Sequence, residues 1–249
     1  MKKILIIGIG AGDPDFVTMQ AVKALNTVDV FFMLEKGSAK DAMVELRREI
    51  CRRYATDRRY RVVEEPSPPR DAKPADYTAC VDDLNRAKQE RFERMIVDNL
   101  ADGQVGAVLA WGDPSLYDST IRNIEAIAAR QGLAYEVIPG ISAVQVLAAR
   151  HRITLNTVAQ PVEITTGRRL AEGWRAGVDS VVVMLDGEDT YRRFTGEDID
   201  IYWGAYLGTP DEILIAGRLA DVAEEIHRVR TAQRSAHGWI MDTYLMRRR

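Results

Sequence analysis

The tripeptide Gly-Asp-Pro occurs twice, each time where a hydrophobic run stops. Gly12-Asp13-Pro14 follows the run from Lys3 to Ile9, and Gly112-Asp113-Pro114 follows Val105 to Trp111. Glycine permits a sharp turn and a close approach of backbone to a ligand, and proline then fixes the direction in which the chain leaves. Two such loops suit recognition of a small molecule by main-chain groups, at the strand ends where open α/β sheets bind ligands. A dinucleotide is disfavoured. Counted from Gly8 and Gly10, the fingerprint G-x-G-x-x-G needs glycine where Asp13 stands; counted from Gly10 and Gly12 it needs glycine at Asp15. The Asp13 carboxylate would repel a phosphate, and Pro14 removes an amide donor. Glu35, which ends the next hydrophobic run, reads as a solvated strand end.

Other reactive side chains point to few chemistries. His151, His227 and His237 have no second ligand three or four residues away, and Cys51 and Cys80 form no Cys-x-x-Cys, so no metal site is expected. No Gly-x-Ser-x-Gly surrounds Ser115, Ser119 or Ser142, which argues against a serine nucleophile. The last lysine is Lys88. Beyond it Schiff-base chemistry is absent and forked, arginine-type recognition of carboxylates is favoured, although a genome preferring arginine codons leaves the same mark.

The 249 residues, 46% hydrophobic and 29% charged, fit a soluble chain of one large or two small domains. The net charge of −3 argues against a nucleic-acid partner. No apolar run approaches the ~20 residues of a membrane span. A strand beginning at residue 3 leaves no room for a signal peptide, and two unclustered cysteines suit a reducing compartment, so a cytoplasmic location is expected.

The elements that must position these residues follow from periodicity. Strands are predicted over 3–9, 29–34, 60–64, 105–111 and 134–138, and helices over 18–27, 40–54, 77–100, 118–131 and 142–149. In the second helix Met43, Leu46, Ile50 and Tyr54 share one side, while Arg47, Arg48, Arg52 and Arg53 are expected mostly on a solvated face. Prolines 66, 68, 69 and 74 mark a loop, and Pro139-Gly140 ends the fifth strand. Strands alternating with helices imply a mostly parallel sheet with right-handed crossovers. After Arg152 the pattern changes to strands at 162–165, 180–185, 200–205 and 212–216, a helix at 218–230 and a strand at 238–245. This predicts a second, mixed α/β domain over 156–249, after a first over 1–155.

Three segments occur in a telling order: Gly8-x-Gly10-x-Gly12-Asp13-Pro14 with Thr18 and Ala21, Gly112-Asp113-Pro114-Ser115-Leu116-Tyr117, and Val137-Ile138-Pro139-Gly140-Ile141-Ser142-Ala143. On these the chain resembles the tetrapyrrole methylases, S-adenosylmethionine-dependent methyltransferases; Ala11 stands where many members have proline. The resemblance implies a two-domain α/β homodimer, each domain a parallel or mixed sheet flanked by helices, with the active site in the trough between them. It implies cofactor contacts from Pro14, from main-chain groups of Trp111, Gly112, Asp113, Leu116 and Tyr117, and from Ser142 and Ala143. Met184, Leu185, Tyr206 and Leu207 would add contacts from the second domain. A methionine used by other members falls on Asp186 here. Further stretches (Trp111 to Thr120, Thr165 to Leu170, Val182 to Gly187, Tyr202 to Gly208, Gly238 to Asp242) resemble the deacetylating precorrin methylases. These imply methylation of precorrin-5 at C-1 with loss of acetate, S-adenosylhomocysteine as the second product, and no metal.

Methyl transfer from a sulfonium needs positioning more than acid–base help. Asp113 is therefore read as shaping its loop, and Asp13 as capping a helix start before Phe16. Deacetylation also needs water activated and an oxyanion stabilised. The candidates are Tyr117 as donor, Asp118 or Asp186 as base, and Arg168 or Arg169 as electrophilic partner. Arg152, Arg168 and Arg169 are the candidates for holding substrate carboxylates. Plainer readings stand beside these: Asp118 could cap the helix after it, Trp111 could pack in the sheet, and the arginine pair could face solvent. Rival functions are the same fold acting on another precorrin position, a diphthamide precursor or ribosomal RNA; a dinucleotide-dependent oxidoreductase; and a non-catalytic tetrapyrrole binder.

Overall fold

The computed structural model describes residues 1–35, 41–57, 59–69 and 77–249. Pro74, and the side chains of Glu35 and Met43, lie outside what is described. The chain divides into two units, Met1–Ser142 and Ala143–Arg249.

In the first unit the short hydrophobic runs become β1 (Lys3–Gly8), β2 (Val30–Glu35), β3 (Arg61–Pro66), β4 (Val105–Ala110) and β5 (Ala134–Ile138). They pair in the order β3-β2-β4-β1-β5, every neighbouring pair parallel. The helices are α1 (Met19–Leu25), α2 (Asp41–Tyr54), α3 (Tyr77–Asn99) and α4 (Thr120–Gln131). Leu5, Ile7 and Phe31 pack against Leu25 of α1 and Ile50 of α2, while Ile4, Ile6 and Phe32 pack against Phe92 of α3 and Ile124 of α4. A sheet covered on both faces explains why Ile4-Leu5-Ile6-Ile7 shows no alternation. Thr18 caps α1, its Oγ1 accepting from the Ala21 amide at 3.1 Å, and Gly132 ends α4 in a left-handed conformation.

This strand order puts β1 beside β4 although their chains leave in opposite directions, β1 by way of α1 on one face and β4 by way of α4 on the other. That is a topological switch point, where the loops beyond adjacent strand ends diverge and leave a crevice. Both Gly-Asp-Pro loops start there.

The second unit opens with α5 (Ala143–His151). Its sheet holds β6 (Val162–Thr166), β7 (Ser180–Met184), β10 (Asp242–Arg248), β8 (Ile199–Ala205) and β9 (Ile213–Arg218), in that order. β6 and β7 are parallel; the other pairs are antiparallel, so the sheet is mixed as expected. A one-turn α6 (Gly167–Leu170) and α7 (Leu219–His237) complete the unit. The observed division falls before α5, not at the expected 155/156. The reason is packing: His151 hydrogen-bonds the Trp203 carbonyl on β8 at 3.0 Å, and Leu147 lies under Gly204. Helix α7 runs seven residues past the predicted end. Residues 231–237 carry no large apolar side chain to extend the periodic signal, yet Ala, Gln and Arg continue a helix readily.

Candidate active site

In the first unit three loops are knitted together by backbone. Gly10 and Gly112 exchange both main-chain hydrogen bonds, at 3.2 and 2.8 Å, which joins the loop after β1 to the loop after β4. Asp113 then ties in the loop after β5, its Oδ2 accepting from the Gly140 amide at 2.8 Å while Oδ1 accepts from the amide and hydroxyl of Ser115. Burial pushes the Asp113 carboxyl up, but these donors outweigh burial and hold it below the ordinary carboxylate value. The fit is tight: a Cβ on Gly8 would stand 2.5 Å from the Gly140 nitrogen and 3.0 Å from the Gly112 oxygen. Only glycine allows this approach. Asp13 repeats the turn, accepting from the Asp15 amide at 2.9 Å and capping a 3-10 turn, Pro14–Phe16. Both aspartates thus have the loop-shaping geometry read from the sequence.

Backbone conformation marks further positions. Tyr117, Leu185 and Tyr206 have φ of 53°, 54° and 50°, a left-handed geometry that costs a non-glycine residue energy, and Arg152 shares it at 57°. Such strain collects at functional loops, because surrounding structure must hold it. Tyr117 is 46% exposed and Leu185 66% exposed, so the twist presents large side chains outward. Pro14, Trp111, Leu116, Ala143 and Met184 are half-buried, and Ser142 is buried.

Other expectations change. Asp186 is buried and saturated: its carboxylate accepts from the Glu188 amide, the Thr190 amide and hydroxyl, and the Tyr244 hydroxyl, all at 2.7–2.9 Å. It also packs on Gly167, where a Cβ would overlap it. It shapes the turn after β7 and has no lone pair left to act as a base. Beneath it the buried Arg230 donates to the Asp186 carbonyl and pairs with Asp189 and Asp242. Tyr206 is likewise committed: its hydroxyl donates to the Trp239 carbonyl at 2.8 Å, its amide to the Met241 carbonyl at 2.8 Å, and its ring packs edge-on against His237 and Trp239. Leu207 is buried beneath Gly204. Neither has the accessible face expected of a ligand contact. Arg168 and Arg169 both face solvent on α6, Arg169 bound to Glu172 at 2.8 Å, and Arg152 is exposed.

Asp118 caps α4, accepting from the Thr120 amide at 2.6 Å, and also lines a cavity with Arg47, Lys88, Ser119, Thr120 and Asn123. Arg47 is therefore not on the solvated face of α2. Its Nε donates to the Leu109 carbonyl at 3.1 Å; burial lowers its proton affinity and the Asp118 charge opposes that. The signal was available: Val44, Ile50 and Cys51, at −3, +3 and +4 from Arg47, are all buried. Among the described residues no cluster of three metal-ligating side chains occurs, and no helix is long and apolar enough to cross a membrane.

Known proteins match this arrangement. The sequence model of the tetrapyrrole (corrin/porphyrin) methylases covers residues 3–223. Precorrin-6A synthase [deacetylating] of a Sinorhizobium species is 49% identical, over 100% of this chain and 96% of its own. A cobalamin synthesis related protein (CobF) of Corynebacterium diphtheriae superposes with a TM-score of 0.83 at 34% identity, over 99% of this chain and 98% of that one. A uroporphyrin-III C-methyltransferase of Thermus thermophilus, solved with S-adenyl homocysteine, shares the fold at a TM-score of 0.58 and 16% identity, over 98% and 96% of the two chains. Its loops, its two sheets and these matches together make the chain a member of the tetrapyrrole methylase family.

Proposed function

We propose that the protein transfers a methyl group from S-adenosylmethionine to C-1 of precorrin-5 and releases the extruded acetyl group as acetate, giving precorrin-6A. The observation that carries this reading is the fusion of three glycine-bearing loops at the switch point, in a chain matched along its whole length by a deacetylating relative. The residues fit the cofactor. Main-chain groups of the Trp111–Tyr117 loop, Pro14, Ser142 and Ala143 would hold it, and Met184 and Leu185 are further proposed contacts. When bound, the cofactor supplies an electrophilic methyl carbon.

The chain's own residues supply position and proton traffic. The Gly10–Gly112 and Asp113–Gly140 contacts fix the loops before any ligand arrives, so little reorganisation is needed at the moment of transfer. Deacetylation adds water across the acetyl carbonyl, after which the carbon–carbon bond breaks with its electron pair left on the macrocycle. Asp118 is the proposed acceptor of the water proton, now that Asp186 is occupied. Tyr117, held outward by its backbone, is the proposed donor to the developing oxyanion. Arg152, Arg168 and Arg169 are the proposed exposed forks for substrate carboxylates. A cytoplasmic homodimer is the corresponding proposal for location and assembly, with sedimentation as its check.

The deciding experiment is incubation with precorrin-5 and S-adenosylmethionine, followed by mass analysis and acetate assay. One methyl gained with one acetate released per turnover is expected. Methyl gain without acetate would leave a methylase and sink the deacetylation.

A further inference from the structure

Helix α2 turns two polar side chains toward the sheet, Arg47 and Tyr54. They stand two turns apart on one face, about 10.5 Å along the axis, on the stripe that also holds the buried Val44 and Cys51. Each reaches a different Gly-Asp-Pro loop. The Tyr54 hydroxyl lies 3.1 Å from the Pro14 carbonyl and 3.3 Å from the Asp15 carboxylate, with which Arg53 pairs at 2.7 Å. Arg47 serves the second loop. Strand β4 pairs with β1 as far as Ala110, whose carbonyl accepts from the Ile9 amide at 3.0 Å, but with β2 only as far as Val108. Successive carbonyls of a strand turn to opposite neighbours, so the Leu109 carbonyl faces β2 beyond their last pair. The Arg47 Nε donates to it at 3.1 Å, in the place a β2 amide would take. The same guanidinium feels the Asp118 charge, and both groups line one cavity. Leu109 and Asp118 flank Trp111–Tyr117, so Arg47 stands at both roots of that loop.

The Tyr54 end of the helix is itself anchored. Asn26, which caps the C-terminus of α1, donates to the Tyr54 carbonyl at 2.7 Å and accepts from the amides of Thr56 and Asp57, each at 2.9 Å. One helix thus grips both loops, which Gly10 and Gly112 join to each other. We infer that Arg47 and Tyr54 are positioning residues, through which α2 splints the two Gly-Asp-Pro loops in the geometry the cofactor needs. The inference rests on the function proposed above, which puts the cofactor on these loops. A loop in binding geometry for only a fraction of the time weakens apparent affinity by that fraction, whereas saturating ligand restores the geometry. The splint therefore acts on affinity and on KM for S-adenosylmethionine, and little on kcat.

Calorimetry with S-adenosylhomocysteine on the full-length protein tests this. Tyr54→Phe keeps the ring and loses the hydroxyl; binding should weaken about five-fold, the worth of one hydrogen bond, with KM for S-adenosylmethionine raised equally and kcat held. Arg47→Met should weaken binding about five-fold or more. Arg47→Gln should stay within about two-fold of wild type, because its amide nitrogen can take the place of Nε and donate to Leu109 without the charge. Equal losses in Arg47→Gln and Arg47→Met would assign the effect to charge and overturn the splint. Tyr54→Phe combined with Arg47→Met should lose little more than the worse single variant, since both act through one helix on joined loops; additive losses would mean two independent contacts and refute it. Arg52→Gln, on the solvent side of α2 and paired with Glu45 and Glu49, is the control and should leave affinity unchanged. Lowered urea midpoints with unchanged affinity would mark a purely structural role and refute the inference. Amide hydrogen exchange at Gly10 and Gly112 without ligand should speed up in Tyr54→Phe and Arg47→Met but not in Arg47→Gln; no change there also sinks the splint. Wild-type protein that does not bind S-adenosylhomocysteine refutes the proposed function instead, and the exchange rates still decide the splint.

Discussion

Gly8→Ala tests whether the three loops touch as described. The new Cβ would meet the Gly140 nitrogen at 2.5 Å, its Cα at 2.7 Å and the Gly112 oxygen at 3.0 Å, where ordinary contact begins at 3.4 Å. All three are backbone atoms, so no rotamer change relieves the overlap. Retreat of the Gly140 segment by about 0.9 Å is required, and overpacking of that order costs about 1–3 kcal/mol. Such a shift would also stretch the 2.8 Å bond from the Gly140 amide to Asp113 out of range. A hydrogen bond to a charged group is worth about 1.5–3 kcal/mol, and the alanine regains about 0.4–1 kcal/mol through the unfolded chain. The net expectation is a loss of about 2–5 kcal/mol. Urea unfolding followed by tryptophan fluorescence reads it as a lowered midpoint at constant slope, and calorimetry with S-adenosylhomocysteine reads the damage to the site. Gly187→Ala, where a Cβ meets nothing within 4 Å, is the control and should change stability by less than about 1 kcal/mol. If Gly8→Ala matched the control in stability and in ligand affinity, the interlocked loops would be wrong.

Other outcomes follow from the same geometry. Leu185→Gly should keep or gain up to about 1 kcal/mol by relieving left-handed strain, yet weaken S-adenosylhomocysteine; a loss of stability would instead make Leu185 a packing residue. Asp186→Ala should cost about 3–5 kcal/mol by stranding the Tyr244 hydroxyl and the Thr190 donors, and a stable variant lacking only acetate release would restore Asp186 as the base. The lowered Asp113 pKa stabilises the fold above an unfolded value near pH 3.9 and is lost as pH falls through the folded one, so Asp113→Asn should flatten the acid limb of a stability–pH curve. Burial lowers the His151 pKa, so its contribution is full above an unfolded value near 6.5 and is lost as pH falls below it. His151→Gln should remove that slope in urea midpoints taken between pH 7 and 5.

The first unit was legible because its strands are continuous apolar runs punctuated by glycine and proline, signals that no tertiary contact overrides. Asp13 and Asp118 were readable as caps for the same reason, their amide partners lying two residues away in sequence; Asp113 was readable as shaping its own loop, but its tie to Gly140, 27 residues on, was not. Asp186 was not. It ends a hydrophobic run as a catalytic acid might, and only the return of β10 brings Tyr244 against it. Arg47 and Asn123 were missed in opposite ways, one assigned to solvent and one passed over, although each sits on a stripe of buried neighbours. A polar residue on such a stripe is a sequence-level warning. The domain boundary misled because α5 follows directly from a first-unit loop, and its allegiance to β8 depends on packing that spacing does not encode.

The central position of β1 has a consequence for how the chain comes to be folded. Lys3 pairs with Val105 on one side and Ala134 on the other, so both edges of the first strand to be made wait for partners more than a hundred residues downstream. At ribosomal speeds that wait lasts about 5–20 s, during which Ile4-Leu5-Ile6-Ile7 is an unpaired, strongly hydrophobic edge. Closing so long a loop is entropically slow and leaves the nascent segment open to aggregation. The three loops cannot join until Gly112 and Gly140 have emerged, so under the proposed function S-adenosylhomocysteine binding during synthesis should rise in one late step and report on the completion of the sheet.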